Sequence, residues 1–165
     1  MTETHQQVER AESAALRLAN VDAAARDGAL ADIADAIRSN SEAILAANDE
    51  DVAEAERMLA EGEYTQALVD RLKLDAGKLE SIAGMVESVA EQDDPLGKTL
   101  AARELDADLE LYKLSVPIGV VGTIFESRPD ALVQIASLCL RSGNAVILKG
   151  GSEASHSNRV LFELI

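Results

Sequence analysis

Apolar residues recur every three to four positions through residues 1–90, and this spacing predicts a series of α-helices. Ser39 and Glu42 match a Ser-x-x-Glu capping box, which should start the third helix. Asp75 can cap the last helix of the series, and Asp93-Asp94-Pro95 should end it, because proline cannot continue a helix. In chain order, the first predicted helix carries Val8–Ala19, the second runs from about Ala24 to Ser39, and the third ends near Gly62. The fourth is short and ends at Leu68, and the fifth carries Leu79–Val89.

The spacing changes over residues 99–116, where apolar residues occupy every second position. Leu105, Leu109 and Leu111 alternate there with acidic or aromatic neighbours, which is typical of a β-strand with two unlike faces. We therefore predict an extended β-ribbon, for which an ordinary surface hairpin is the plainer alternative.

A nearly unbroken apolar run from Ile118 to Phe125 predicts a strand that is buried on both faces of a parallel sheet. A helix should begin at Pro129 and end at Gly143. The segment Ala145–Leu148 predicts a second buried strand, and a last helix should begin near Ala154. A strand–helix–strand unit of this length is expected to form a right-handed parallel crossover.

Together these elements predict an α/β fold in three parts. Residues 1–95 are helical, residues 99–116 form the β-ribbon, and residues 117–165 form the start of a Rossmann-like parallel βαβα sheet. A chain of 165 residues, 47% of them hydrophobic, is long enough for one domain with a substantial core.

The chain is strongly acidic, with a formal net charge of −15 at pH 7. Such a field repels nucleic acid and anionic lipid, so we expect neither as a partner. Residues 111–165 carry four acidic and five basic side chains, which leaves the excess of negative charge on the first 110 residues. The acid-rich, lysine-poor composition is typical of adaptation to high salt, and an ordinary acidic cytosolic protein is the alternative.

Nothing in the sequence indicates export or membrane insertion. No apolar run approaches the ~20 residues that a spanning helix needs, and the first residues lack the basic and apolar segments of a signal peptide. The single cysteine cannot form an internal disulfide. We therefore expect a cytoplasmic protein.

The sequence Lys149-Gly150-Gly151-Ser152-Glu153 follows the second predicted strand and precedes a helix. Two glycines allow close approach of the backbone to a ligand, and the first amides of a helix favour anions. From the spacing alone, a ligand-binding loop and a helix cap beside a surface lysine are equally good interpretations.

A second candidate loop, Glu126-Ser127-Arg128-Pro129-Asp130, follows the first predicted strand. Arginine suits anionic ligands through paired hydrogen bonds, and loops at this end of a parallel strand carry sites. The alternative is an ion pair between Arg128 and Glu126 that only orders the turn.

Cys139 is the one cysteine that could act as a nucleophile, and we exclude it. It lies in the middle of a predicted helix, with no neighbouring histidine or basic residue to lower its pKa. No spacing of cysteine, histidine and carboxylate residues suggests a metal site either.

The segment Val116–Asn158, which contains both candidate loops, is similar to the gamma-glutamyl phosphate reductases (glutamate-5-semialdehyde dehydrogenases) of the aldehyde dehydrogenase superfamily. The similarity continues through Ala47–Ala55 and Leu68–Leu72. The sequence Glu-Ser-Arg-Pro disfavours other aldehyde or acyl-CoA dehydrogenases, in which Pro-Trp-Asn-Phe-Pro is the usual motif.

The resemblance implies reduction of γ-glutamyl phosphate by NADPH to glutamate 5-semialdehyde and phosphate, in L-proline biosynthesis. It implies a homo-oligomer in which the β-ribbon is the oligomerisation element. It also implies that Lys149 and Glu153 bind the adenosine ribose, in a cofactor loop completed by Gly150, Gly151 and Ser152. Glu153 lies one residue further from Lys149 than in the common Lys-Pro-Ser-Glu pattern.

For the substrate, the resemblance implies binding by Glu126 and Arg128. Arg128 falls where many aldehyde dehydrogenases place the asparagine of their oxyanion hole. The nucleophilic cysteine of the family follows an Arg-Pro-Ser-Thr-Cys-like segment that this sequence lacks. We therefore expect residues 1–165 to be an incomplete cofactor-binding domain without activity of its own. A complete, non-catalytic dinucleotide-binding or oligomerisation module is the alternative.

Overall fold

A computed structural model describes residues 2–126 and 128–165, with five helices, a β-hairpin, and a parallel strand pair with its helices in chain order. The elements are α1 (Glu3–Leu18), α2 (Ala23–Ser39), α3 (Ser41–Ala60), α4 (Gln66–Leu72), α5 (Ala76–Ala90), β1 (Thr99–Asp106), β2 (Leu109–Leu114), β3 (Val120–Ile124), α6 (Pro129–Arg141), β4 (Ala145–Lys149), a 3₁₀ turn (Ser152–Ala154) and α7 (Ser155–Leu164). The predicted α/β fold and its order of elements are confirmed.

The core lies where α2, α5, α6 and α7 pack together with α3. Aliphatic side chains fill it, as the scarcity of aromatic residues requires, and the fully buried members include Leu30, Ile37, Ile44, Val133 and Leu161. Burial of each such side chain stabilises the fold by about 1.5–3 kcal/mol. These contacts fix α6 and α7, the helices that follow the two candidate loops.

A smaller cluster lies beneath α4 and reaches the 3₁₀ turn. Ala154, in that turn, is buried together with Ala55, Val69 and Leu72. The loop that follows β4 is thus anchored on the helical part of the chain as well as on the sheet.

The strands β3 and β4 pair in parallel, in a register that runs from Val120 opposite Ala145 to Ile124 opposite Lys149. This arrangement confirms the predicted strand–helix–strand unit. The prediction that β3 is buried on both faces is wrong, because Ile124 is 82% exposed. Among the described residues each of these two strands pairs only with the other, so both lie at an edge of the sheet, and helices cover β4 more extensively than β3.

The strands β1 and β2 form the predicted antiparallel ribbon. All of their residues are exposed, and several large apolar side chains are more than half exposed: Leu100, Leu105, Leu109, Leu111, Tyr112 and Leu114. Asp108 adopts a positive φ of 62° in the turn between the strands, a conformation that aspartate tolerates better than most residues.

Two helix boundaries differ from those predicted. Ser39 is the last residue of α2 and not the cap of α3, because only Asn40 separates the two helices. The Asn40 side chain donates to the Ala36 carbonyl at 2.8 Å, so it closes α2 without capping α3. The fourth helix begins at Gln66 and continues to Leu72, past the predicted end at Leu68.

Other helix ends agree with the predictions from sequence. The Asp75 carboxylate accepts a hydrogen bond of 2.7 Å from the Lys78 amide and caps α5, which ends at Ala90 before the Asp-Asp-Pro segment. Gly143 ends α6 with a φ of +68°, and a Cβ there would lie 2.7 Å from the Leu96 side chain. No helix of the described residues is both long enough and apolar enough to cross a membrane.

Two buried arginines connect the helices around the core. Arg26 of α2 is 2% exposed and its Nη2 lies 2.6 Å from the Asp94 carboxylate. Arg141 of α6 contacts the Asp27 carboxylate and the Gln92 carbonyl. These contacts join α2, α6 and the segment after α5.

We expect Arg26→Ala to destabilise the fold by about 2 kcal/mol. Loss of one partner of a buried pair costs about 3–5 kcal/mol when the other charge stays buried, and the partly exposed Asp94 can recover some hydration. Chemical denaturation, followed by circular dichroism, measures the free energy of unfolding. Arg38→Ala is the control, because Arg38 lies on the same helix and pairs with the exposed Glu80 and Glu87. Equal losses for the two variants would show that the burial of the Arg26 pair is unimportant.

Candidate functional site

Both candidate loops leave the same edge of the sheet. Parallel pairing places Ile124 opposite Lys149, and the Phe125 amide donates to the Lys149 carbonyl at 3.1 Å. The loop with Glu126 and Arg128 therefore begins beside the loop that begins at Gly150. Ligands of open α/β sheets bind at this edge, outside the carboxyl ends of the strands.

The loop after β4 (residues 149–153) is folded closely on itself, and we call it the cofactor loop after the role that the family resemblance implies for it. The Lys149 ammonium group donates to the Gly150 carbonyl at 2.6 Å, from an exposed position. The Glu153 carboxylate lies over Gly151, in the space that a Cβ on that glycine would occupy. The fold thus places the Lys149 ammonium group and the Glu153 carboxylate on one short loop, with Ser152 exposed beside them.

Gly150 allows the cofactor loop to approach α7 and β3. A Cβ at this position would lie 2.5 Å from Asn158 Nδ2 and 3.3 Å from the Phe125 ring. The absence of a side chain is therefore a packing requirement at Gly150. The glycine is not required by its backbone conformation, since the φ of Gly150 is not positive.

The start of α7 differs from the open anion site that the sequence suggested. Ser152 begins a 3₁₀ turn that precedes α7, and the first amides of that helix already have a partner. Asp51 accepts from the His156 amide at 3.0 Å and from the Ser157 amide at 2.8 Å. A protein carboxylate therefore occupies the place that a ligand phosphate would take.

Asp51 belongs to a buried polar network that the sequence analysis missed. Its carboxylate also accepts from Ser157 Oγ at 2.7 Å and contacts His156 Nδ1 at 2.9 Å. Asn48 donates to Ser157 Oγ at 3.1 Å and to the Leu72 carbonyl at 2.9 Å. Asn48 and Asp51 share the buried face of α3 with Ile44, Ala47 and Ala55, and polar residues on a core-facing stripe are the signal that could have revealed them.

Arg128 lies immediately before α6, with its side chain turned toward the first turn of that helix. Its Nη2 donates to Asp130 Oδ2 at 2.7 Å and its Nε donates to Asp130 Oδ1 at 3.3 Å. The hydrogen bonds and charge of Asp130 raise the pKa of the guanidinium group above its usual value. Among the described residues, the ion pair of Arg128 is thus with Asp130 and not with Glu126, which is exposed; Ser127 lies outside the described residues.

Arg128 also lines a cavity of about 490 Å³ between α4, α5 and the start of α6. Leu74, Ile82 and Met85 contribute apolar surface to it. Its charged residues are four cations and two carboxylates: Arg71, Lys73, Lys78, Arg128, Asp70 and Asp130. In a chain with a net charge of −15, this local excess of positive charge favours an anionic ligand.

The other cations of this cavity were also missed by the sequence analysis. Lys73 Nζ lies 3.0 Å from Glu56, and Lys78 Nζ donates to the Lys73 carbonyl at 2.5 Å. Arg71 is exposed at the end of α4. Arg71 and Arg128 are 57 positions apart in the sequence, so only packing of α5 against α6 could show that they share a cavity.

Cys139 lies on α6 and is buried. Desolvation raises the pKa of its thiol above the usual value, which disfavours the reactive thiolate. Among the described residues, no group of three or more histidine, cysteine, aspartate or glutamate side chains could hold a metal ion.

Comparison with known proteins shows similarity along the whole chain. The profile of the aldehyde dehydrogenase family matches residues 1–165. The gamma-glutamyl phosphate reductase of Natronomonas pharaonis is 68% identical, over 100% of this chain and 38% of the relative. The crystal structure of gamma-glutamyl phosphate reductase from Saccharomyces cerevisiae superimposes with a TM-score of 0.94 at 38% identity, over 99% of this chain and 41% of that chain. The corresponding structure from Thermotoga maritima gives a TM-score of 0.92 at 31% identity, over 99% and 38% of the two chains.

The chain thus spans about two fifths of the length of these relatives, along an N-terminal portion. The resemblance found in the two loops is confirmed, and it extends over the helices and the ribbon that precede them.

We expect Cys139 to react with iodoacetamide at least about tenfold more slowly in the folded chain than in the unfolded chain, because burial disfavours its thiolate. Mass spectrometry after timed alkylation at neutral pH, with and without guanidinium chloride, measures the two rates. Equal rates in the two states would contradict the buried, inactive thiol.

Proposed function

The chain belongs to the aldehyde dehydrogenase family, and on this premise we propose that it forms part of the cofactor-binding domain of an NADPH-dependent reductase. The reaction is the reduction of γ-glutamyl phosphate to glutamate 5-semialdehyde and phosphate, a step of L-proline biosynthesis in the cytoplasm. The observation that supports this proposal best is the meeting of two unlike loops at the carboxyl edge of β3 and β4.

The cofactor loop suits the adenosine ribose of NADPH, which carries a 3′-hydroxyl group beside its 2′-phosphate. The Lys149 ammonium group can donate to a hydroxyl oxygen and the Glu153 carboxylate can accept from a hydroxyl hydrogen. Gly150 and Gly151 let the loop pack closely against Asn158 and the Glu153 carboxylate, and Ser152 offers one more hydroxyl. Because Asp51 already accepts from the first amides of α7, Lys149 is the group of this loop that a phosphate can meet.

The cationic cavity suits the substrate, which carries a carboxylate and an acyl phosphate. Arg128 presents a planar guanidinium group, which Asp130 orients from one side. We assign to Arg128 the binding of the substrate or the stabilisation of negative charge that develops during reaction. Glu126 is a carboxylate partner for the ammonium group of the substrate, and Arg71 and Lys78 add to the positive potential.

The nucleophile of the reaction is not among the residues to which we assign roles here. The single cysteine of the chain is buried on α6, so we assign the attack on the acyl phosphate to a cysteine elsewhere in the enzyme. NADPH supplies the hydride when bound. The residues of this chain position that cofactor and hold the anionic substrate, and residues 1–165 alone are expected to be inactive.

The exposed ribbon supports a role in assembly. Its large apolar side chains are more than half exposed in the described part of the chain. Exposed apolar patches are typical of interaction sites. We assign the ribbon to contacts between copies of the enzyme. A non-catalytic oligomerisation module with the same ribbon is the second candidate function.

Lys149→Ala should weaken binding of NADPH by at least about tenfold, a loss of about 1.4 kcal/mol. Isothermal calorimetry in high salt, with NADPH and NADH compared, measures the dissociation constants. Lys98→Ala is the matched control, because Lys98 is an exposed lysine that pairs with the surface residue Asp93. Unchanged affinity in a folded Lys149→Ala variant would argue against the cofactor loop.

Arg128→Ala, in a complete reductase that carries this sequence, should lower kcat/KM for γ-glutamyl phosphate by about 10²–10³-fold, as expected for loss of a group that stabilises developing charge. Steady-state kinetics at saturating NADPH measure the change. Arg57→Ala is the control, because Arg57 pairs only with surface glutamates on its own side of α3. Nearly intact turnover in Arg128→Ala would leave Arg128 the lesser role of ordering the turn.

A further inference from the structure

Helix α7 lacks a cap of its own. Ala154 stands at its N-cap position and makes no side-chain hydrogen bond to the helix. The first amides of a helix need partners, and here they find them on α3, in a carboxylate about a hundred residues earlier in the chain. Asp51 therefore acts as a remote cap of α7.

The Asp51 carboxylate is well suited to this task. It is 3% exposed, and both of its oxygens accept hydrogen bonds from α7. A buried carboxylate is costly unless hydrogen bonds compensate, and the positive end of the helix dipole adds a favourable interaction. The carboxylate and the helix start therefore stabilise each other only while α7 holds its position against α3.

The cofactor loop ends where this contact begins. The 3₁₀ turn Ser152–Ala154 leads directly into α7, and Ala154 is buried against Val69 and Leu72. A displacement of the α7 start would therefore move Glu153 and the backbone of Gly151 beneath it. Their position follows from contacts made by α3.

We propose that Asp51 is a positioning residue for dinucleotide binding, which holds the cofactor loop through the first turn of α7. The proposal rests on the proposed function of that loop. It assigns to Asp51 no contact with the cofactor. A second contact of the network secures the same turn: Asn48 donates to Ser157 Oγ and accepts from the Leu74 amide.

The test is the kinetics of Asp51→Asn in a complete reductase that carries this sequence. Asparagine keeps the size of the side chain but replaces one acceptor oxygen by an amide group, which cannot accept from the Ser157 amide or hydroxyl. We expect KM for NADPH to rise about tenfold, the loss expected for a hydrogen bond to a charged group. KM for γ-glutamyl phosphate should change by less than about twofold, because Arg128 bonds to Asp130 and the substrate loop makes no described contact with Asp51.

Three further variants make the result decisive. Arg26→Ala is a matched destabilised control, since it breaks a buried ion pair of α2 and should lower the melting temperature without raising KM for NADPH. Ser157→Ala removes one donor to Asp51 and keeps both amides in place, so it should raise KM for NADPH by about threefold even if Asp51→Asn does not fold. Lys149→Ala tests the loop itself.

The outcomes separate the two proposals. If Lys149→Ala weakens cofactor binding and neither Asp51→Asn nor Ser157→Ala does, the positioning role of Asp51 is overturned and the cofactor loop stands. If Lys149→Ala has no effect, the proposed function of the loop fails first. An equal rise in KM for NADPH in Arg26→Ala would show general destabilisation and would also overturn the role of Asp51.

Discussion

Parallel pairing of β3 with β4 is the constraint on which the rest of this structure depends. Two parallel strands must present their carboxyl ends at the same edge, and the pairing of Ile124 with Lys149 brings the two loops to one place. An antiparallel pair would have sent the loops to opposite edges. The helix α6 makes the crossover possible, and its own start, at Arg128 and Pro129, is part of the site.

The charge around the cavity beside Arg128 is opposite in sign to the net charge of the molecule. The chain is acidic, yet four cations line the cavity beside Arg128. A single carboxylate holds a group next to each loop: Asp130 orients Arg128, and Asp51 holds the start of α7. In each case a hydrogen bond to a carboxylate, of 2.7–2.8 Å, fixes the geometry of the group that it holds.

Three layers of interaction thus determine the position of one short loop. The sheet sets where the cofactor loop begins, close packing at Gly150 sets its path, and the Asp51 network sets where it ends. The apolar cluster around Ala154 adds a fourth contact of a different kind. A site built in this way is precise because several independent parts of the chain agree on it.

The sequence by itself determined the local elements and the location of both loops. Helical and alternating spacing predicted the helices and the ribbon, and the apolar runs with Pro129 and Gly143 predicted the strand–helix–strand unit. These features depend on neighbouring residues, whose periodicity and turn chemistry can be recognised without a fold. The wrong prediction for the start of α3 also had a local cause. Ser39 matches a capping motif, but it cannot cap α3 because α2 continues through it.

Only the tertiary structure decided which distant side chains meet. It left β3 more exposed than its composition suggested, because among the described residues β3 pairs with β4 alone. It joined Arg71 to Arg128 in one cavity and Asp51 to α7 across about a hundred residues of sequence. Such contacts follow from the packing of helices on one another, and no spacing along the chain encodes which buried polar residue will face which helix end.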